Sequence, residues 1–161
     1  MILPFAYRIQ SSMTDQERLF HSALRILARR AHSRWELHKK LSTRAEQEVV
    51  LSTLQRLEDE GWLEDENEIA LRFEEELHRK NKSHRYIAQK MSQRGLSQPA
   101  ENLSKECEKI RNILKDRLPE WASLDYNERT RLMQKLVFKG FSHSAIKLAV
   151  KNEGSYEEPR G

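Results

Sequence analysis

One cysteine, five glycines and four prolines among 161 residues leave little material for several kinds of protein. The single Cys107 can form no internal disulfide and no thiolate cage for a metal. At helical spacing with Leu103, Ile110 and Leu114 it reads as a small buried apolar residue. The glycines stand apart, so neither a GxGxxG turn nor a P-loop is possible and no nucleotide cradle is expected. Six histidines (His21, His32, His38, His78, His84 and His143) lack metal-ligand spacing, and none belongs to an HExxH motif. The carboxylates around Glu64 and Glu74 read as helix-start and surface charges rather than a cation site. Nothing singles out a nucleophile. No apolar run approaches the roughly 20 residues of a membrane span, and the opening MILPFAYRIQ lacks the basic leader of a secretory signal. The expectation is a cytosolic protein with no catalytic residues, cofactor or metal, and no membrane contact.

What is present is helix-forming and highly charged. Leu, Glu, Lys, Arg, Gln and Ala recur throughout, the mixture that favours helix over strand, so the expected class is all-α. With 37% hydrophobic and 34% charged residues, a thick single core cannot be filled, and an elongated, thin-cored shape is expected. The net charge of +4 conceals a block pattern. Between Arg18 and Arg44, eight basic side chains face one acid, Glu36. From Glu46 to Glu76 acids dominate, opposed only by Arg56 and Arg72, and Arg79 to Arg94 is purely basic again. Separated fields of this kind suit a polyanion or an acidic protein surface; the plainer reading of each charge is a solvated helix face.

Apolar residues recur at helical spacing. A first helix is expected from Asp15 to Ala31, capped by Thr14 or Asp15. Ser33 caps a second, with Glu36 completing a capping box. A third, through Val50, Leu54 and Leu57, stops at Gly61, with Trp62 folding back on it. A fourth carries Ile69, Phe73 and Leu77, and a fifth runs from Ser83 to Gly95. Ser97 is expected to open a sixth, with Pro99 in its first turn and Pro119 ending it. A seventh begins at Asp125 or Asn127, turns Leu132, Met133, Leu136 and Val137 inward, and stops at Gly140. Ser142 caps the last, through Val150.

The series repeats itself. SRWELHKKL, SHRYIAQKM and SHSAIKLAV share an opening Ser, an aliphatic four places on, and a closing apolar residue. Leu27, Ser33, Leu37 and Leu41 fall on Leu77, Ser83, Ile87 and Met91 at an offset of 50; Leu77, Ser83, Ile87 and Met91 fall on Leu136, Ser142, Ile146 and Val150 at an offset of 59. Such units cannot bury their own apolar faces and must stack. The expected architecture is an elongated, curved array of tandem three-helix repeats: an N-terminal segment (1–14), repeat 1 (15–62), repeat 2 (63–118), a truncated repeat 3 (119–152) and a flexible tail (153–161).

The candidate binding surface is a basic strip on the second helices of the first two repeats. It comprises Arg34, Lys39 and Lys40, then Arg85 and Lys90, joined by Arg29, Arg30, Arg79 and Lys80 at the preceding helix ends. Such a strip attracts phosphate. Trp35 and Tyr86 are the only aromatics in these two helices, which gives little support to base stacking.

HSRWELHKKL, the helix ending LEDEGWLED, QRGLS and FKGFS together resemble the RecX family of regulators of the RecA recombinase. The resemblance spans about Phe20 to Val150 and rests on Ser33, Glu36, Leu37, Lys40, Leu41, Gly61 to Asp65, and Gly95. Many relatives read GYLDD where this chain has GWLED. The resemblance implies a cytosolic, non-enzymatic modulator lying in the groove of the RecA filament, bridging protomers and restraining filament growth, ATP hydrolysis and strand exchange. The expected partner is that filament, with single- or double-stranded DNA as a further candidate, and the expected state is a monomer. Two rival readings remain open: a stand-alone helical DNA-binding module, and a helical scaffold for an acidic partner.

Overall fold

A computed structural model describes residues 13–151. Residues 1–12 of the expected N-terminal segment, residue 152 of the expected third repeat and the expected tail 153–161 lie outside the described residues. Among these there are eight α-helices and no strand: α1 (Asp15–Leu27), α2 (Arg34–Leu41), α3 (Gln47–Asp59), α4 (Glu66–Arg79), α5 (His84–Gln93), α6 (Leu103–Leu114), α7 (Tyr126–Phe138) and α8 (His143–Lys151). The protein is an all-α helical repeat.

Local chemistry sets most of the helix ends. Thr14 and Ser33 each form a capping box, accepting from the amides of Glu17 and Glu36 while those carboxylates return to the cap residue's own amide. Asp125 caps α7 by accepting from the amide of Glu128 at 2.8 Å. Gly61, at φ +73°, stops α3: its amide donates to the Glu58 carbonyl and that of Trp62 to the Leu57 carbonyl. The same pair of bonds closes α7 at Gly140 and Phe141, and closes α4 at Asn81 and Lys82. Asn81 adopts φ +51°, a left-handed position the sequence did not mark because no glycine stands there.

Two expected boundaries are corrected. α1 stops at Leu27 instead of Ala31, with Ala28 as its C-cap. α6 starts at Leu103 instead of after Ser97. Pro99 biases Gln98 away from helical geometry, and Asn102 is the cap actually used, accepting from the Lys105 amide at 3.0 Å. α6 also ends before Pro119, at Leu114; the turns that follow bury Leu118, Trp121 and Leu124.

The described chain divides into two compact units. In the first, residues 13–70 with 94–96, α1 and α2 pack on α3 over a core of Leu19, Phe20, Ala23, Leu37, Leu41, Val50, Leu54 and Leu57. In the second, residues 71–93 with 97–151, α6 and α7 pack on α8 around Cys107, Ile110, Leu114, Leu136, Ala145, Ile146 and Ala149. Cys107 is buried there, its thiol 3.6 Å from the Ala145 carbonyl, as its helical spacing predicts.

Candidate partner-binding face

In the first unit the candidate surface begins with the Ser33 cap. Its hydroxyl accepts from the Glu36 amide at 3.1 Å and donates to the main-chain carbonyl of Arg94 at 2.5 Å. One side chain therefore starts α2 and ties the 94–96 segment to the first unit. Glu36, only 7% exposed, collects three further donors. Arg30 approaches both of its oxygens, at 2.7 and 3.1 Å; Arg94 Nε lies at 3.2 Å and the Ser33 amide at 3.2 Å. Burial alone would raise the carboxyl pKa, but the Arg30 bond, the Arg94 charge and the Ser33 amide outweigh it and hold it below its ordinary value.

His32 sits beside this cluster, 3% exposed. Its Nδ1 lies 2.9 Å from the Arg30 carbonyl, which can only accept, so Nδ1 carries the proton. Nε2 is then the acceptor for Lys40 Nζ at 3.0 Å. Burial, with the Arg30 and Lys40 charges, lowers the imidazole pKa despite the bond to the Arg30 carbonyl. The ring is neutral and oriented, and it accepts from the terminal ammonium of Lys40.

The basic residues expected to form a strip thus divide into two groups. Arg30 is occupied by Glu36, Arg34 by Glu58 at 2.7 Å, and Lys80 by Glu76 at 2.5 Å. Arg34 also gives its amide to Glu66 at 3.0 Å. By contrast Arg29, Lys39, Lys40, Arg79, Arg85 and Lys90 make no carboxylate pair among the described residues. Lys39 lies 5.0 Å from the Trp35 ring centroid and Lys90 5.6 Å from that of Tyr86. Trp35 is 44% exposed and lies close over Gly95: a Cβ there would stand 2.7 Å from the Trp35 side chain.

The second unit repeats the device. Ser83 caps α5, accepting from the Tyr86 amide at 3.3 Å and donating to the Lys139 carbonyl at 2.7 Å. The α5 start is held as the α2 start is: the His84 amide donates to Glu106 at 3.1 Å, as that of Arg34 does to Glu66. Glu106 is buried with Lys109 at 2.6 Å, a pair that helical spacing hints at but burial alone makes consequential. Ser142 caps α8 through the Ala145 amide but reaches no distant carbonyl among the described residues; its hydroxyl meets only Ser144. Sequence reading missed the Arg94 arm of the Glu36 cluster and the exposed Phe138, whose one signal was an apolar residue outside the inward stripe of α7.

Known proteins resemble this chain in sequence and in fold. A family model described as the RecX first three-helix domain matches residues 20–57. The regulatory protein RecX of Xanthomonas campestris pv. campestris strain B100 is 29% identical over 140 residues, covering 80% of this chain and 83% of that protein; that of strain 8004 matches equally. The crystal structure of RecX from Lactobacillus salivarius shares the fold at a TM-score of 0.70 and 19% identity, covering 86% of this chain and 96% of that one. A second crystal structure of a regulatory protein RecX gives 0.63 at 18% identity, covering 86% and 72%.

Proposed function

The chain belongs to the RecX family, and on that premise we propose that it binds the RecA filament in its helical groove and mainly inhibits RecA ATPase, strand exchange and filament growth in DNA recombination and repair. It acts as a cytosolic monomer and by occupancy rather than chemistry. The three-copy division into 15–62, 63–118 and 119–152 is part of the same reading, each copy offering a short helical face to the partner. Many shallow contacts then add up along one chain.

The observation that supports this reading is the sorting of the basic side chains. Arg29, Lys39 and Lys40 around α2, and Arg79, Arg85 and Lys90 around α5, keep charge that no described carboxylate neutralises. Buried clusters at Glu36 and Glu106 meanwhile fix the helices that carry them. Rigidly held positive charge orients an acidic partner and raises the association rate more than it deepens affinity. Arg30, Arg34 and Lys80 are already paired with Glu36, Glu58 and Glu76, and of these only Arg30 meets a buried carboxylate that helps hold the fold. The test is inhibition of the cognate recombinase's DNA-dependent ATPase by the parent chain and by one in which Lys39, Lys40, Arg85 and Lys90 are all changed to Glu.

A further inference from the structure

Phe138, the last residue of α7, is 91% exposed. It stands over a groove that also takes in Lys82, Tyr86, Ile113 and Lys139, all within the second unit. No described carboxylate lines this groove. Its geometry is built rather than incidental. The left-handed Asn81 turns the chain out of α4, and the Ser83 hydroxyl bonds the Lys139 carbonyl at 2.7 Å. Gly140 lets the two backbones meet: a Cβ there would lie 2.7 Å from Ser83 Oγ. The end of α7, carrying Phe138 and Lys139, is thereby held beside the start of α5. Lys82 lies 5.2 Å from the Tyr86 ring centroid, so that ring is already faced by a cation while Phe138 is open.

We propose that this groove binds single-stranded nucleic acid, with a base stacked on Phe138 and the backbone phosphates on Lys82 and Lys139. A fully exposed aromatic ring flanked by unpaired lysines on an acid-free floor is the combination that recognises an unstacked base and its phosphates together. A duplex does not fit, because its base faces are already covered by their neighbours. An acidic peptide would satisfy the lysines but gives the ring no flat partner. The groove adjoins α5, since Tyr86 lines it and Lys90 faces the same ring, but Phe138, Lys82 and Lys139 are not among the residues assigned to the recombinase, and the groove operates without that protein.

The test is fluorescence anisotropy of a labelled oligothymidylate with the full chain, without recombinase, across a salt series. Phe138→Ala should bind about tenfold more weakly, and Phe138→Trp should bind at least as well as the parent. Lys82→Gln with Lys139→Gln should make the log–log salt slope shallower by about 1.4, two phosphate contacts' worth on a single strand. The side chain is exposed, so circular dichroism should show full helicity for each variant; the lysine pair and the Trp variant carry the test should Phe138→Ala lose helix. Four outcomes overturn the proposal: no binding by the parent, equal binding by Phe138→Ala, an unchanged salt slope, or competition by polyglutamate as effective as that by unlabelled oligothymidylate.

Discussion

The Ser33 hydroxyl donates to the main-chain carbonyl of Arg94, 61 positions further along the chain, while accepting from the Glu36 amide three residues on. A helix cap thereby doubles as a tertiary contact. Ser83 does the same with Lys139, 56 positions on, and Ser142 has no such distant carbonyl among the described residues. The recurring Ser thus has two jobs in two copies and one in the last.

Replacing Ser33 with Ala should therefore cost more than replacing Ser142. Loss of a cap alone costs about 1 kcal/mol, and removing the donor to the part-buried Arg94 carbonyl adds up to about 1 kcal/mol more. Urea midpoints for the two variants check this, and equal losses would contradict the double role.

Glycines at helix stops should separate in the same way. Gly61 has open space around its absent Cβ, so Gly61→Ala should cost only the left-handed backbone penalty of about 1 to 2 kcal/mol. Gly95, at φ +65°, faces Trp35, so Gly95→Ala carries that penalty and about 1 to 3 kcal/mol more from overpacking. Thermal melts of the pair should rank them in that order.

The first unit should lose stability in two acid steps. The folded-state pKa of His32 is lowered, so below its ordinary 6.5 the unfolded chain takes up a proton that the folded chain refuses, and stability falls as pH drops through that value. Glu36 is also lowered, and its contribution, complete above its ordinary 4.5, disappears as pH falls further. Denaturant midpoints between about pH 7.5 and 5.5 should decline in the parent and decline less in His32→Gln, where the first step is removed.

Core substitutions should follow burial. Leu54 is fully buried and Leu54→Ala should cost about 2 to 5 kcal/mol. Phe73 is only half-buried, so its truncation should fall below the 3 to 5 kcal/mol, approximately, of a fully buried Phe. Circular dichroism melts of both variants decide this.

Rules acting over three or four residues made much of this legible from sequence. The Ser33 and Glu36 capping box, the stops at Gly61 and Gly140 and the burial of Cys107 are all short-range or periodic signals. The sixth helix was misplaced because Ser97 and Asn102 are both acceptable caps, and only the geometry forced by Pro99 separates them. The candidate site was half legible. Glu36 is the lone acid among eight bases from Arg18 to Arg44, so some arginine had to claim it. That it would be Arg30 together with Arg94, 58 residues distant, depends on how the helices pack and leaves no local trace. Phe138 was overlooked because a single apolar residue off a helical stripe carries no pattern of its own.

The central claim is that this chain restrains the recombinase filament through the unpaired charges of α2 and α5. The most direct measurement is a titration of the cognate recombinase's ATPase on single-stranded DNA with the parent and with the chain carrying Lys39→Glu, Lys40→Glu, Arg85→Glu and Lys90→Glu. The parent should inhibit, and the variant, with its helical content intact, should need at least about tenfold more protein for the same effect. Full inhibition by the folded variant, or none by the parent, would contradict the account.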